Sequence, residues 1–239
     1  MRLLVTRPEP DGAATAEALR ARGHEVLHDP MLRIVAEAGT EPLPAGIAAI
    51  AVTSANAVRA LAARADFAAL VGLPLHTVGG ATARAARDAG FSRIVSADGN
   101  VDDLLELVAG RLDPAAGPIL YACGRDRTGD LEQRLAARGF DVRLLVAYCA
   151  EAAPRLAEAT STALAAGAVD AVLLYSRRTA EIFLANLAAA DHIEAARGIR
   201  MLCLSEAVAE PLRAAGFTDI AVADRPKAEA LVALVGGET

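Results

Sequence analysis

The chain has 239 residues, of which 54% are hydrophobic and 23% are charged, and its formal net charge is −6 at pH 7. This composition is typical of a globular protein with a buried core and excludes a disordered chain. The negative charge disfavours a general nucleic-acid binder, which would be basic, and no apolar run approaches the ~18 residues that a membrane span requires.

Strand candidates follow one another along the whole chain, with alanine-rich helical segments between most of them. Each candidate is apolar at successive positions, so we expect the strands to be covered on both faces. In chain order the candidates are Leu3–Thr6, Glu25–His28, Ala48–Thr53, Leu75–Val78, Arg93–Ser96, Ile119–Ala122, Val142–Val146, Ala171–Tyr175, Met201–Leu204 and Asp219–Val222. The alternation predicts parallel sheets with right-handed crossovers, and the number of strands indicates two five-stranded sheets.

Three pairs of similar segments indicate an internal repeat and therefore two domains. The pairs are Leu19–Val26 with Leu135–Val142, Ala51–Leu61 with Leu173–Phe183, and Ala86–Asp98 with Pro211–Asp224. The repeat does not decide where the domains divide. Contiguous halves would divide near Pro114–Pro118, whereas in an interrupted arrangement the chain leaves the first domain after two strands, builds the second and returns.

The cysteines and the N-terminus predict a cytoplasmic protein. Cys123, Cys149 and Cys203 lie far apart in or beside apolar runs, which favours reduced thiols in the core. The opening MRLLVTRPEP lacks the long apolar region and the cleavage site of a signal peptide. The histidines show no metal-ligand spacing with the cysteines, so we expect no metal site.

Nucleotide-binding motifs are incomplete. Gly124 and Gly129 have the spacing of a phosphate-binding loop, but Asp130 and Leu131 follow where lysine and a hydroxyl residue are required. Neither a GxGxxG after the first strand nor a GxSxG nucleophile turn is present in the sequence. A nucleotide-using enzyme is therefore disfavoured.

The turns from strand to helix carry small, polar and arginine residues. In an open parallel sheet the carboxyl ends of the strands line the ligand crevice, and helix N-termini there bind anions. Serine, threonine and asparagine in such turns are also ordinary helix caps. The arginines of these turns suit a ligand with many carboxylates, and they are Arg7, Arg125, Arg127, Arg177 and Arg178.

In its succession of segments the chain resembles the uroporphyrinogen-III synthase family. The segments are LLVTRPEP with RARGHEV and DPMLRI, TSANAVRAL, VGGATARAARDAGF, ILYACGRDR, LLVAYCA and ADRPKAEALVALV, and together they span essentially the whole chain. The resemblance implies an α/β fold of two flavodoxin-like domains, each a five-stranded parallel sheet flanked by helices. It selects the interrupted arrangement, with residues 1–34 plus 153–239 in the first domain, 38–147 in the second, and linker strands near 31–37 and 147–152.

The resemblance also implies a reaction. The family is cofactor-free, and its members are lyases that cyclise hydroxymethylbilane with loss of water and inversion of the terminal pyrrole ring. We therefore expect a small-molecule substrate, no cofactor, no nucleic-acid or membrane partner, and a monomer; a transient contact with the preceding pathway enzyme stays open. The alternative is a non-catalytic two-lobed protein that binds or senses a small molecule.

Site residues follow from matching positions in the family. Tyr148 matches a recurrent tyrosine proposed to assist departure of the hydroxyl, and it is the predicted catalytic residue, although it could equally be a packed aromatic. The hydroxyl that the family often has at position 208 is missing in Val208, and whether Ser205 replaces it is left open. The predicted substrate-binding residues are Arg7, Ser54, Asn56, Thr82, Arg125, Arg127, Ser176, Arg178 and Ser205.

Overall fold

The structure, a computed structural model, describes residues 1–37, 42–127 and 129–236. Its strands are β1 (Arg2–Val5), β2 (Glu25–His28), β3 (Leu32–Ala36), β4 (Ala49–Val52), β5 (Leu75–Thr77), β6 (Ile94–Ser96), β7 (Ile119–Gly124), β8 (Val142–Ala152), β9 (Ala171–Leu174), β10 (Arg200–Cys203) and β11 (Ile220–Val222). Its α-helices are α1 (Asp11–Arg20), α2 (Ala55–Ala62), α3 (Gly80–Asp88), α4 (Val101–Arg111), α5 (Leu131–Ala136), α6 (Glu158–Ala165), α7 (Arg177–Ala189), α8 (Ile193–Ala196), α9 (Glu206–Ala214) and α10 (Ala228–Ala233). No helix within these described ranges is long and apolar enough to cross a membrane.

The chain divides into two compact units. The first unit combines Met1–Arg33 with Glu151–Thr239, and the second consists of Ile34–Ala150. The chain thus leaves the first unit within β3, forms the second, and returns within β8. The start predicted for the second domain, residue 38, lies outside the described residues.

The first unit contains a five-stranded parallel sheet in the order β11-β10-β9-β1-β2. Leu4 of β1 packs into the core on one face of the sheet, while Leu3 and Val5 pack into the core on the other. All three side chains are fully buried. Apolar residues at successive positions of β1 therefore serve two cores, which confirms for this strand the expectation of burial on both faces, whereas the edge strands β6 and β11 are only partly buried.

The second unit has six strands, in the order β3-β8-β7-β4-β5-β6, so the prediction of two five-stranded sheets is wrong for this unit. The Glu37 N–H donates to the Ala147 carbonyl at 2.9 Å and the Ala153 N–H donates to the Met31 carbonyl at 3.0 Å, a descending register that makes β3 antiparallel to β8. The additional strand has a partner because β8 extends to Ala152. The apolar run that predicted β8 ended at Val146, whereas the strand continues as far as Glu151 and Ala152, whose side chains are exposed.

The parallel strands of the two sheets share one order. When β7 and β8 take the places of β1 and β2, the order β8-β7-β4-β5-β6 reproduces β2-β1-β9-β10-β11. The repeated segments agree with this correspondence, because they lead into β2 and β8, run from β4 and β9 into the following helices, and lead into β6 and β11. The sequence repeat therefore marks equivalent elements of the two sheets.

Candidate functional site

The predicted site residues lie at the carboxyl ends of the parallel strands. In the second unit they follow β4, β5 and β7 or lie within β8, and in the first unit they follow β1, β9 and β10. Because parallel strands end at the same edge of a sheet, each unit presents its own group of polar side chains there. We describe the two groups separately.

A cavity of about 280 Å³ lies at this edge of the second unit. Three of the predicted residues, Ser54, Arg127 and Tyr148, line it. The remaining lining residues are Thr53, Val101, Tyr121, Gly124, Asp126, Gly129 and Leu131. The cavity combines hydroxyls, a carboxylate and a guanidinium, a set of groups able to donate protons and to bind polar ligands.

Tyr148 and Ser54 are joined by a hydrogen bond. The Tyr148 hydroxyl donates to Ser54 Oγ at 3.2 Å, across 94 residues of sequence. Ser54 is also the N-cap of α2, where its Oγ accepts the Asn56 N–H at 3.1 Å. The tyrosine oxygen therefore lies beside a helix N-terminus, whose partial positive charge favours negative charge on nearby atoms.

The end of β7 fixes the position of the Tyr148 ring. An irregularity after Cys123 brings Gly124 into register with Tyr148. A Cβ atom at Gly124 would lie 2.8 Å from Tyr148 Cζ and 3.0 Å from its hydroxyl oxygen. The next residue, Arg125, donates its backbone N–H to the Tyr148 carbonyl at 2.8 Å. Glycine at position 124 is required because the aromatic ring occupies the space of a side chain.

Tyr121 is a cavity residue that the sequence reasoning missed. Its side chain is buried, 6% exposed, and lines the cavity together with Thr53. Burial raises the pKa of Tyr121, so its hydroxyl remains protonated at neutral pH. The signal that could have identified it is an aromatic residue in the otherwise aliphatic and small run of β7.

Arg125 and Arg127 differ in their surroundings. Arg125 lies outside the cavity lining and holds the Glu37 carboxylate with two hydrogen bonds of 2.6 and 2.7 Å. These bonds lower the pKa of Glu37. Arg127 lines the cavity, and its Nη2 is 3.5 Å from Glu132 Oε2. The protein itself thus supplies a carboxylate to Arg125, while the ion pair of Arg127 is longer.

Two further predicted residues of the second unit lie outside the cavity lining. The Asn56 side-chain oxygen accepts a hydrogen bond of 2.8 Å from Arg59. Thr82 is in the first turn of α3 and is 5% exposed. The structure therefore brings together Ser54, Arg127 and Tyr148, and places Asn56 and Thr82 elsewhere along the same edge.

In the first unit the predicted residues occupy equivalent turns. Arg7 follows β1, where its Nη2 is 3.0 Å from Asp11 Oδ2. Ser176 is the N-cap of α7 and accepts the Thr179 N–H at 3.1 Å. Arg178 lies in the first turn of that helix. Ser176 and Arg178 mirror the turn after β4, where Ser54 is the cap, and the turn of Arg7 corresponds to the one after β7.

The turn after β10 departs most from the family pattern. Ser205 occupies the N-cap position of α9 but makes no side-chain cap hydrogen bond. Val208, in the first turn of α9, is 2% exposed and packs in the core of the first unit. An apolar residue suits this buried position, and the hydroxyl that remains in the turn belongs to Ser205.

Among the residues that the structure describes, no group of three or more histidine, cysteine or acidic side chains is placed to hold a metal ion. Cys123 and Cys203 are buried, and neither is paired in a disulfide bond among the described residues. The chemistry of the cavity is consequently that of hydroxyls, a carboxylate and a guanidinium.

Comparisons with known proteins agree with one another. The family model described as uroporphyrinogen-III synthase HemD matches residues 13–233. No curated protein matches the sequence significantly. The uroporphyrinogen-III synthetase of Helicobacter pylori has a similar structure, with a TM-score of 0.67, 18% identity and 98% of each chain covered. A mutant uroporphyrinogen III synthase of Thermus thermophilus gives a TM-score of 0.56 at 20% identity, covering 98% of this chain and 96% of the other. At these identities the two structures show a shared fold.

Proposed function

The chain belongs to the uroporphyrinogen-III synthase family, whose model matches residues 13–233, and from this premise we propose how its residues perform the family's reaction. The protein is a lyase of porphyrin and haem biosynthesis. It cyclises hydroxymethylbilane with loss of water and inversion of the terminal pyrrole ring. The family match over nearly the whole chain carries this conclusion.

We assign the first chemical step to Tyr148. Its hydroxyl donates a proton to the leaving hydroxyl group, the carbon–oxygen bond breaks, and water departs to leave a cationic azafulvene. The position of Tyr148 on the cavity wall supports this assignment. The tyrosine is thereby converted into a phenolate, which must be stabilised until the proton returns.

Ser54 is suited to stabilise that phenolate. Its hydroxyl now accepts from Tyr148 at 3.2 Å and can rotate to donate once the tyrosine has lost its proton. Its oxygen stays fixed by the Asn56 N–H at the start of α2. A phenolate held in a cavity also attracts the azafulvene cation, because opposite charges interact strongly where water is excluded.

The rest of the reaction depends on positioning. Without an enzyme the linear tetrapyrrole closes directly and the terminal ring is not inverted. The enzyme must hold the two ends of the linear tetrapyrrole so that the new bond forms at the substituted carbon of the terminal ring. The reaction then passes through a spiro intermediate. We propose that the arginines and the helix N-termini at the two sheet edges bind substrate carboxylates for this purpose.

Within that set, Arg127 is the arginine best placed to contact substrate in the second unit. It lines the cavity, and a substrate carboxylate could replace its 3.5 Å contact with Glu132. Arg125 would first have to release Glu37, which it holds with two short hydrogen bonds. We therefore retain both as substrate-binding residues and rank Arg127 first. The remaining members of the proposed set are Arg7, Ser54, Asn56, Thr82, Ser176, Arg178 and Ser205.

We also propose that the two compact units are flavodoxin-like domains joined by linker strands near residues 31–37 and 147–152. The order β2-β1-β9-β10-β11 supports this proposal, because second-first-third-fourth-fifth is the flavodoxin order. The five parallel strands of the second unit have the same order after permutation. The buried cysteines Cys123 and Cys203, which form no disulfide bond among the described residues, further support a cytoplasmic location, and we expect a monomer.

Product analysis tests the function. The purified protein is mixed with freshly generated hydroxymethylbilane, the products are oxidised, and the uroporphyrin isomers are separated and quantified. We expect mainly isomer III, whereas buffer alone yields isomer I. Isomer I formed at the spontaneous rate by demonstrably folded protein would reject the synthase and favour the non-catalytic binder.

A further inference from the structure

Arg7 and Tyr175 form a contact at the edge of the first sheet that the proposed mechanism does not use. The Arg7 guanidinium carbon lies 5.1 Å from the centre of the Tyr175 ring, over its face. Arg7 Nη2 is also 3.0 Å from Oδ2 of Asp11, the first residue of α1. The ring supports the guanidinium from one face while the carboxylate holds one end.

The backbone around this pair is equally constrained. The Thr6 hydroxyl donates to the Leu173 carbonyl of β9 at 2.6 Å, two residues before Tyr175. His28 Nε2 donates to the Arg7 carbonyl at 2.9 Å. A Cβ atom at Gly12 would lie 2.2 Å from that carbonyl oxygen, so a side chain cannot be added there. The strand ends that carry Arg7 and Tyr175 are thus held together independently of the two side chains.

The Tyr175 hydroxyl does not explain why a tyrosine is present. It is buried and has no hydrogen-bond partner among the described residues. The nearby Thr15 hydroxyl donates instead to the Asp11 carbonyl at 2.8 Å. Burial raises the pKa of Tyr175, which keeps the hydroxyl neutral. The Tyr175 side chain packs against a hydrophobic core of the first unit, and Arg7 covers a face of its ring.

The second unit has no aromatic residue at the equivalent position. In the repeated segments Tyr175 corresponds to Thr53, which lines the cavity beside Tyr148. Where the second unit has the polar cavity residue Thr53, the turn after β9 thus has Tyr175, whose ring contacts Arg7. The side chain of Arg7 remains 28% exposed. Its Nη2 atom donates to the Asp11 carboxylate at 3.0 Å.

We propose that Tyr175 is a positioning residue that holds the Arg7 guanidinium at the edge of the first sheet, where Arg7 binds a carboxylate of the substrate. This inference rests on the proposed function. Stacking on the ring restricts the flexible arginine side chain before substrate arrives, so less entropy is lost when the carboxylate binds. The contribution of Tyr175 is to substrate binding and not to the chemical step.

Four variants test this role through the separate effects on KM and kcat for isomer-III formation. Tyr175→Phe retains the ring and should leave both constants close to wild type. Tyr175→Leu removes the ring and should raise KM about fivefold with kcat nearly unchanged, the effect expected from losing one cation–π contact. Arg7→Ala should raise KM at least as much. The double variant Arg7→Ala/Tyr175→Leu should be no worse than Arg7→Ala, because Tyr175 acts through Arg7.

Phe217→Leu is the matched control, because Arg197 lies over the Phe217 ring at 5.6 Å in the same unit. It removes an equivalent contact and should lower the melting temperature without changing KM. Wild-type KM in Tyr175→Leu, or fully additive effects in the double variant, would overturn the proposal.

Binding of uroporphyrin III, followed by its fluorescence, provides a readout that does not need turnover. Tyr175→Leu should weaken this binding about fivefold, and Tyr175→Phe should not. If the wild-type protein forms only isomer I, the proposed function fails. The binding measurement then still decides the role of Tyr175, because equal affinities in wild type and Tyr175→Leu contradict it.

Discussion

The hydroxyl groups of Tyr148 and Ser54 have the two chemical roles proposed for individual residues: Tyr148 donates the proton, and Ser54 stabilises the phenolate that results. Their hydrogen bond of 3.2 Å connects a strand to a helix N-terminus. Gly124 leaves the space that the tyrosine ring occupies. An acid placed in this way can lose its proton next to a group that stabilises the resulting anion, which is the requirement for assisting a poor leaving group.

Tyr148→Phe should therefore slow isomer-III formation by about a hundredfold or more, the usual contribution of a general acid. The effect should exceed that of Ser54→Ala or Thr82→Val, because neither of those changes removes the acid. Initial rates at saturating substrate measure it. Wild-type rates in Tyr148→Phe would remove Tyr148 from the mechanism.

Ser54→Ala needs a stability control, since it also removes the cap of α2 and should lower the free energy of unfolding by about 1 kcal/mol. Its rate is therefore compared with wild type well below both melting temperatures. A loss of rate that persists there belongs to the site and not to the helix.

Among the strands and helices, β5 is unusual because it contains a buried histidine, His76. This strand lies between β4 and β6, and its His76 is 2% exposed. The Nδ1 atom has no hydrogen-bond partner in the described part of the chain. Burial lowers the pKa of His76 below its ordinary value of 6.5; the Ile50 backbone opposes this shift in part, and the positive charge of Arg111 adds to it. His76 is therefore a buried, neutral histidine on a strand with a neighbour on each side.

The free energy of unfolding should consequently fall as the pH drops below about 6.5, since the unfolded chain then binds a proton that the folded chain resists. His76→Leu, of similar volume, should reduce this pH dependence. Urea denaturation of wild type and variant at pH 7.5 and 5.5 measures it. Equal pH dependence in the two proteins would show that His76 does not contribute.

At the scale of the whole molecule, the residues that the structure describes form four hydrophobic clusters, two in each compact unit. The clusters of the second unit lie on the two faces of its sheet and include Leu120 on one side and Tyr121 on the other. Those of the first unit flank β1 and β9 in the same way. Each unit therefore has what an independent fold requires, a sheet and a core on both of its faces.

A fragment of residues 34–150 should fold by itself, because it contains β4 to β8 and both of their cores. Far-UV circular dichroism and a cooperative thermal transition would demonstrate it. The matched control is residues 1–117, a contiguous half that separates β4 from its neighbour β7 and should not fold cooperatively. A folded control beside an unfolded 34–150 fragment would contradict the division into these units.

Local patterns determined a large part of this fold. All ten predicted strands are present. Strands such as β4 and β9 are buried along their whole length, so they are apolar at every position and visible in a short window. The caps Ser54 and Ser176 were likewise readable, since each bonds a backbone N–H two or three residues away. Resemblance to a family, and not periodicity, selected the interrupted arrangement and singled out Tyr148.

Only the tertiary structure decided the contacts between distant parts of the chain. The antiparallel pairing of β3, the approach of Gly124 to Tyr148, and the hydrogen bond from Tyr148 to Ser54 depend on which strands are neighbours. The same is true of Tyr121 in the cavity and of Arg7 on the Tyr175 ring. The spacing of apolar and polar residues predicts whether one segment is buried, but it does not predict which other segments it contacts. Sheet order and register arise from the packing of many segments at once, so the local sequence does not contain them.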